Sequence, residues 1–194
     1  NMRVISGKFK KKKILLPDPK ITRPLRDYVK ESLFNLLTHT KLLNFEFDKS
    51  IVLDIFSGSG SFGIECLSRG SEKAIFIEKN KDTLSILNKN IKNFLLSAQC
   101  NVIFDDFLKI NLNEVLKENV NLIFLDPPFE CVFLKEIFDK LRECHDQLSE
   151  CLIMIHYEKN NDFKFDDYLD IVVKKNYGRS IIAFAKIKSQ KYLS

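Results

Sequence analysis

The strongest constraint on the fold is an alternation of short apolar runs and amphipathic segments that starts at residue 51. Strands that alternate with helices in this way form a mostly parallel sheet with right-handed crossovers. The last two apolar runs are separated by Tyr177 and Gly178, which predicts an antiparallel hairpin at one edge. We therefore predict an α/β, doubly wound fold with a seven-stranded, mostly parallel sheet. The predicted strands are 51–55, 73–78, 101–105, 121–126, 151–157, 169–175 and 180–187, and the predicted helices are 61–69, 80–97, 107–118 and 132–148.

The first forty residues are predicted to form a small unit in front of this sheet. A turn at Gly7 indicates a short β-hairpin or extended arm, which ends at Pro17. Apolar positions within 25–37 then recur at helical spacing. We predict a basic arm and helix over 1–40 and the main domain over 41–194.

Positive charge is concentrated in this N-terminal unit. The first thirty residues contain ten Lys or Arg and two acids, a net charge of +8, whereas the remaining 164 residues contain 21 basic and 24 acidic groups, a net charge of −3. This asymmetry is expected of a segment that binds a polyanion, because each neutralised phosphate releases counterions. A solvated lysine run in a lysine-rich chain would produce the same count. The candidate RNA contacts of the arm are Arg3, Lys8, Lys10, Lys11, Lys12 and Lys13.

The composition argues against several other classes of protein. No apolar run approaches the length needed to cross a bilayer, and the basic N-terminus lacks the apolar segment of a secretory signal. The five cysteines are odd in number and widely spaced, without a Cys-x-x-Cys pair. They predict free thiols in a reducing cytoplasm and no metal site. We expect a cytoplasmic, monomeric protein.

A glycine-rich loop follows the first predicted strand of the sheet. The segment Ser57–Gly63 contains Gly-x-Gly-x-x-Gly, and Glu78 ends the next predicted strand. This spacing alone also fits a dinucleotide-binding fold. Asp54, at the tip of the first strand, would repel a pyrophosphate but suits the ammonium group of a methionine moiety, and Glu78 then accepts hydrogen bonds from ribose hydroxyls. These residues predict a site for S-adenosylmethionine.

A third acidic position follows the third predicted strand of the sheet. Asp106 offers a carboxylate for the adenine amine, and Phe107 offers an apolar wall for its ring. Asp106 is preferred over Asp105 because a helix is predicted to start directly after it. A role as a helix cap is equally compatible with either residue.

The second motif is Asp126-Pro-Pro-Phe129, at the end of the apolar run Asn121–Leu125. An exocyclic amine on a purine is a poor nucleophile, and two acceptors that hold its N–H bonds can turn its lone pair toward a methyl donor. The Asp126 carboxylate and the Pro127 carbonyl are candidate acceptors, while Pro127 and Pro128 remove competing N–H donors. Phe129 offers a face for stacking the base, which must be unpaired or flipped out.

These motifs together resemble those of a known family, the RsmD-type 16S ribosomal RNA guanine-N2 methyltransferases of bacteria. The resemblance spans nearly the whole chain. It is carried by the opening Met2–Gly7, the first helix Thr22–Asn35, the cofactor loop Leu53–Gly63, the catalytic motif Leu125–Phe129 and the terminal turn Tyr177–Gly178. Lys30 stands where the family usually has arginine, which weakens any bidentate contact there.

The resemblance implies a Rossmann-like, S-adenosylmethionine-dependent enzyme that methylates N2 of a guanine in small-subunit rRNA, within a partly assembled 30S particle. By resemblance, the methionine end of the cofactor is held by the loop residues Asp54, Phe56, Gly58 and Gly60. Ribose is bound by Glu78, adenine by Asp106 and Phe107, and guanine by Asp126, Pro127, Pro128 and Phe129. The basic arm together with Arg23 is expected to hold RNA.

Three alternatives remain open on the sequence. An adenine-N6 methyltransferase uses the same catalytic motif, although 194 residues leave no room for a separate target-recognition domain. A non-catalytic RNA-binding assembly factor could keep the fold, but the acids Asp54, Glu78 and Asp126 argue against it. An NAD oxidoreductase shares the glycine loop, but no matched acid–base pair for hydride transfer is found. His39, His145 and His156 are isolated in the sequence and are expected to be surface or core residues rather than catalysts.

Overall fold

The computed structural model describes residues 2–20, 27–128 and 131–190, and within these ranges it contains one large sheet and one small hairpin. The strands of the small hairpin are β1 (Met2–Arg3) and β2 (Lys13–Ile14). The strands of the sheet are β3 (Ile51–Asp54), β4 (Lys73–Glu78), β5 (Cys100–Phe104), β6 (Leu122–Leu125), β7 (Leu152–Glu158), β8 (Leu169–Tyr177) and β9 (Ser180–Ile187). The helices are α1 (Asp27–His39), α2 (Ser61–Ser68), α3 (Lys81–Asn93), α4 (Leu112–Val115), α5 (Leu134–Glu143) and α6 (His145–Leu148).

The sheet has the order β5-β4-β3-β6-β7-β9-β8. Strands β3 to β7 are parallel, and β9 runs antiparallel to both β7 and β8. The predicted seven-stranded sheet with an antiparallel hairpin is therefore confirmed. Its interior order was not predicted: β9 inserts between β7 and β8. From β3 the chain adds β4 and β5 on one side, and from β6 it adds the remaining strands on the other side. The strand order therefore reverses between β3 and β6. In α/β sheets, ligands bind in the crevice at the carboxyl ends of the strands at such a point.

The sheet separates two hydrophobic cores, because successive residues of a strand point to opposite faces. On β3, Val52 faces the core shared with α1, α2 and α3, whereas Leu53 faces the core shared with α5 and α6. The first core includes a stack of Phe62 on Phe124 with a centroid separation of 3.8 Å. In the second core, Phe138 is fully buried. Burial on both faces explains why β3 and β6 are almost uniformly apolar.

Two predicted helices are shorter than expected. The helix predicted over 107–118 begins only at Leu112, because the Asp106 carboxylate accepts the Leu108 N–H at 2.9 Å and its carbonyl accepts the Lys109 N–H at 2.9 Å. These bonds close a turn instead of a helix. The helix predicted over 132–148 is divided at Cys144 into α5 and α6. The described helices include none long and apolar enough to span a bilayer.

A buried carboxylate attaches the N-terminal hairpin and α1 to α2. Glu65 accepts hydrogen bonds from the backbone N–H groups of Ile5 at 2.8 Å and Ser6 at 3.1 Å, and it pairs with Lys30 Nζ at 3.2 Å and Arg69 Nε at 2.9 Å. The apolar residues of the hairpin join the same hydrophobic core as α2 and α3. The division of the chain at residue 40 stays a prediction.

Candidate active site

Asp54 ends β3 and is almost completely buried, with 1% of its surface exposed. Its Oδ1 atom is buried and has no hydrogen-bond partner among the described residues. Burial raises the pKa of Asp54 well above its ordinary value, and the negative charges of Asp126 and Glu78 raise it further. A buried carboxyl without a partner is costly. A cationic ligand group beside it would supply the missing partner, as the ammonium of a methionine moiety does.

The conformation and packing of the glycine loop require glycine. Gly58 and Gly60 have φ angles of 52° and 82°, a left-handed conformation that side chains other than glycine rarely adopt. A Cβ atom on Gly60 would lie 2.4 Å from Leu87 Cδ1. The loop therefore needs glycine at this position for both backbone geometry and packing, and it turns directly into α2 at Ser61.

Glu78 ends β4 and connects two loops at the same edge of the sheet. Its Oε1 accepts the Gly58 N–H at 3.0 Å, and its Oε2 accepts the Asn80 N–H at 3.0 Å. Each oxygen has a second lone pair, so both can still accept a ribose hydroxyl. Ribose binding by Glu78 stays a prediction, and the structure adds that Glu78 holds the glycine loop in place.

The adenine side of the site differs from the expectation in two respects. Asp106 starts a turn rather than a helix, so the reason for preferring it over Asp105 was wrong, although its contact with adenine stays a prediction. Phe107 is 3% exposed and packs in the second core, where the Lys140 ammonium lies 5.2 Å from its ring centroid. The exposed ring nearby in the chain is Phe104 at the end of β5, with 56% of its surface exposed.

The catalytic motif begins where β6 ends, next to β3. The register pairs Asp54 with Phe124, two residues before Asp126, so the two carboxylates lie at the same edge of the sheet. The Cys131 N–H donates to the Pro128 carbonyl at 3.0 Å, whereas no described residue donates to the Pro127 carbonyl. That carbonyl thus keeps the acceptor capacity predicted for it. Phe129 lies outside the described residues.

One contact of the catalytic carboxylate was missed by the sequence analysis. His156 Nδ1 lies 2.9 Å from Asp126 Oδ1, and both side chains are partly buried. His156 is isolated in the sequence, and only the fold brings it against Asp126. The contact follows from the pairing of Leu125 with Ile155, which places the next residues of β6 and β7 side by side. Both strands were predicted, but only knowledge of their adjacency would have revealed the pair.

The lysines of the arm differ in their position along α2 and α3. The Lys8 N–H donates to the Ser68 carbonyl, and Lys12 Nζ donates to the Asn93 carbonyl at 2.5 Å, so both lysines are next to the carboxyl ends of these helices. The rest of the arm reaches the glycine loop, because the Ser61 hydroxyl donates to Met2 Sδ at 2.8 Å. The arm therefore packs along these helices and ends beside the glycine loop.

The individual lysines differ in their contacts. The Lys12 ammonium also lies 4.4 Å from the Phe94 ring centroid, which makes it part of the attachment of the arm to α3. The remaining members of the run point into solvent, as does Arg3, whose Nη1 donates to the Lys11 carbonyl at 3.2 Å. Arg23 lies outside the described residues. All four residues Lys10–Lys13 are exposed, and of these Lys10, Lys11 and Lys13 have no side-chain hydrogen bond among the described residues.

Comparison with known proteins gives a consistent set of relatives. The model of the family described as Conserved hypothetical protein 95 matches residues 2–186. The Ribosomal RNA small subunit methyltransferase D of Haemophilus influenzae is 32% identical over 91% of this chain and 89% of its own. The protein of the same name from Buchnera aphidicola (strain Bp) is 33% identical over 81% of this chain and 76% of its own. The solved structure of yhhF from Escherichia coli superposes with a TM-score of 0.73, at 26% identity over 97% of this chain and 99% of that one.

Proposed function

Since the chain belongs to the family described as Conserved hypothetical protein 95, which confirms the resemblance to RsmD-type enzymes, we propose that it methylates small-subunit ribosomal RNA. The methyl donor is S-adenosylmethionine, and the target is the N2 amine of a guanine. The reaction takes place in the bacterial cytoplasm, on RNA within a partly assembled 30S particle, and the enzyme acts as a monomer. The names of the curated relatives support the reaction class and the RNA substrate.

The observation that carries this proposal is that two acids, one buried and one partly exposed, lie side by side where the strand order of the sheet reverses. Asp54 is buried with an unpaired oxygen, as a partner for a ligand ammonium requires. Asp126 ends the neighbouring strand and is partly exposed, as a residue that meets a substrate requires. Gly58 and Gly60 of the loop between them adopt the left-handed conformation that glycine permits. The residues present therefore fit S-adenosylmethionine.

The catalytic motif acts by orienting an amine. When bound, S-adenosylmethionine supplies an electrophilic methyl group on its sulfonium. The Asp126 carboxylate and the Pro127 carbonyl accept the two N–H bonds of the guanine amine, which turns the nitrogen lone pair out of conjugation with the ring. The two prolines offer no N–H that would compete for the carboxylate. One proton must leave the nitrogen, and a carboxylate oxygen of Asp126 can accept it.

The test is methyl transfer from labelled S-adenosylmethionine to small ribosomal subunits that lack this modification, followed by nucleoside analysis. We expect the label in N2-methylguanosine. Label in N6-methyladenosine would contradict the assignment of the target atom and favour the adenine-directed alternative. Absence of cofactor binding, measured separately by calorimetry, would contradict the proposal altogether. Parallel assays with naked 16S RNA and with assembled particles identify the form of the substrate.

A further inference from the structure

We propose that His156 is a positioning residue for the catalytic carboxylate, holding Asp126 in the orientation that accepts the substrate amine. The inference rests on the proposed function and assigns a role to a residue that none of the sequence motifs contains. Its basis is the contact of 2.9 Å between His156 Nδ1 and Asp126 Oδ1. No other described residue donates a hydrogen bond to the Asp126 carboxylate. The orientation of this carboxylate in the described structure therefore depends on a single side chain.

The backbone determines the position of the histidine. His156 lies on β7, which is paired with β6 on one side and β9 on the other. Because Leu125 pairs with Ile155, Asp126 lies beside His156 just past the end of β6. On its other side, His156 pairs with the fully buried Ile182 of β9. Only 19% of the imidazole surface is exposed, and Nε2 is buried without a hydrogen-bond partner among the described residues. A ring held between two strands has few alternative positions, so it can act as a fixed donor.

The surroundings of Asp126 explain why such a donor matters. Asp126 and Glu78 both act on the buried Asp54 as negative charges, so three carboxyl groups share this edge of the sheet. Among the described residues, His156 provides the only side-chain hydrogen bond to Asp126 Oδ1. An N–H at Nδ1 fixes that oxygen by a hydrogen bond to a charged group. The second oxygen, Oδ2, then remains available to the amine.

The contact also specifies the tautomer of the histidine. An ionised carboxylate can only accept, so Nδ1 must carry the proton. In the neutral ring, Nε2 is then the unprotonated nitrogen. A substitution that keeps a donor at the position of Nδ1 should preserve the function, whereas one that moves the donor to the position of Nε2 should not. This difference separates positioning from simple filling of space.

The test compares His156→Asn, His156→Gln and His156→Phe in the methyl-transfer assay. The amide nitrogen of asparagine can occupy the position of Nδ1, that of glutamine the position of Nε2, and phenylalanine keeps the ring without a donor. Loss of a hydrogen bond to a charged group predicts a fall in kcat of roughly tenfold to hundredfold for the Phe and Gln variants. We expect the Asn variant to stay within about threefold of wild type. The KM for RNA and the Kd for S-adenosylmethionine should be unchanged in all three, because His156 contacts neither.

The outcomes distinguish this inference from the proposed function. His39→Phe, an exposed histidine at the end of α1, is the matched control and should leave kcat unchanged. If wild type transfers methyl and the Gln and Asn variants have equal kcat, the positioning role is overturned while the proposed function stands. If wild type itself transfers no methyl to ribosomal particles, the proposed function fails first. Should the Phe variant not fold, the comparison of Asn with Gln still decides the question.

Discussion

At the scale of single residues, the proposed site depends on a carboxyl group that the fold buries with one oxygen unpaired. Asp54 is 1% exposed, and its Oδ1 has no hydrogen-bond partner among the described residues. Such a group opposes folding but favours binding of a cation, and binding sites commonly sacrifice stability in this way. The opposite effects on stability and binding can be measured separately.

We expect Asp54→Asn to stabilise the free protein and to weaken cofactor binding. The substitution removes a buried acid that lacks a partner, so the Tm of the free protein should rise. The same change removes the partner of the ligand ammonium, so the Kd for S-adenosylmethionine should increase by a factor of about ten or more, as for other charged hydrogen bonds. Calorimetry and thermal unfolding measure the two effects. A lower Tm together with unchanged affinity would contradict this account of Asp54.

The raised pKa of Asp54 also predicts a pH dependence of stability. Because the pKa of this carboxyl is higher in the folded than in the unfolded protein, its contribution to stability is fully present below the unfolded pKa and is lost as pH rises through the folded pKa. The difference in Tm between wild type and Asp54→Asn should therefore grow, in favour of the variant, as pH increases. A difference that is constant with pH would show that Asp54 does not titrate in this way.

We expect Asp126→Ala to abolish turnover while leaving cofactor affinity nearly unchanged. Asp126 is assigned to the amine rather than to the methyl donor, so kcat should fall by at least about a hundredfold, as on loss of other oriented catalytic groups. Single-turnover kinetics with ribosomal particles measures the first effect, and calorimetry with S-adenosylmethionine measures the second. Loss of cofactor binding on this substitution would contradict the assignment.

At the scale of elements, the arm and α1 are attached through one buried acid on α2. Glu65 accepts the N–H groups of Ile5 and Ser6 and pairs with Lys30, which is 1% exposed. Burial lowers the pKa of Lys30, whereas the neighbouring charge of Glu65 raises it and so opposes part of that shift. The lysine at this position therefore contributes to the packing of α1 on α2, and its ammonium is not available to RNA.

Lys30→Met should destabilise the protein by about 3 kcal/mol, because removal of one partner leaves the other charge buried and incompletely paired. Adding Glu65→Gln to Lys30→Met should cost less than the two single changes together, since both charges are then gone. Urea unfolding of the single and double variants measures the coupling. Substitution of the exposed Lys41 by Met serves as the control. Equal losses of unfolding free energy in Lys41→Met and Lys30→Met would exclude the buried ion pair as the contact that attaches α1 to α2.

At the scale of the whole molecule, the basic arm packs along α2 and α3 and reaches the glycine loop. Asn90 joins the two, because its side-chain amide donates to the Leu15 carbonyl at 2.9 Å and to the Ser59 carbonyl at 2.8 Å. The Ser61 hydroxyl also donates to Met2 Sδ at 2.8 Å. We therefore expect RNA bound by the arm to continue toward the predicted active site.

Neutralising Lys10, Lys11 and Lys13 together should weaken RNA binding and flatten its salt dependence. For three phosphate contacts, the slope of log K against log salt should decrease in magnitude by about 2 to 3. The affinity for S-adenosylmethionine should not change, because these three side chains are exposed and make no hydrogen bond with the described residues of the glycine loop. Lys12 is left in place, since it attaches the arm to α3. Substitution of Lys41, Lys49 and Lys174, which are exposed elsewhere, is the matched control, and an unchanged slope in the arm variant would exclude its role.

The sequence by itself determined the local elements and the chemistry of the two loops. Strand–helix periodicity depends only on which residues are apolar at spacings of two or 3.6, and so it predicted the sheet and its antiparallel hairpin. Glycines in a left-handed turn and prolines without an N–H are likewise local properties, so Gly58, Gly60 and Pro127 could be identified without a structure. At Asp106 the apolar periodicity predicted a helix, but the side chain of this residue closes a turn and the helix begins later.

Only the tertiary structure decided which elements are neighbours. The order of the strands depends on how crossovers pack around two cores, and nothing in the spacing along the chain specifies it. That order places Asp54 and Asp126 at one crevice and brings His156 against Asp126 across thirty residues of chain. It also turns Lys30 inward, although a charged residue is one that a sequence assigns to the surface. Contacts between residues distant in sequence follow from packing, which minimises buried unpaired charge and apolar exposure over the whole molecule rather than residue by residue.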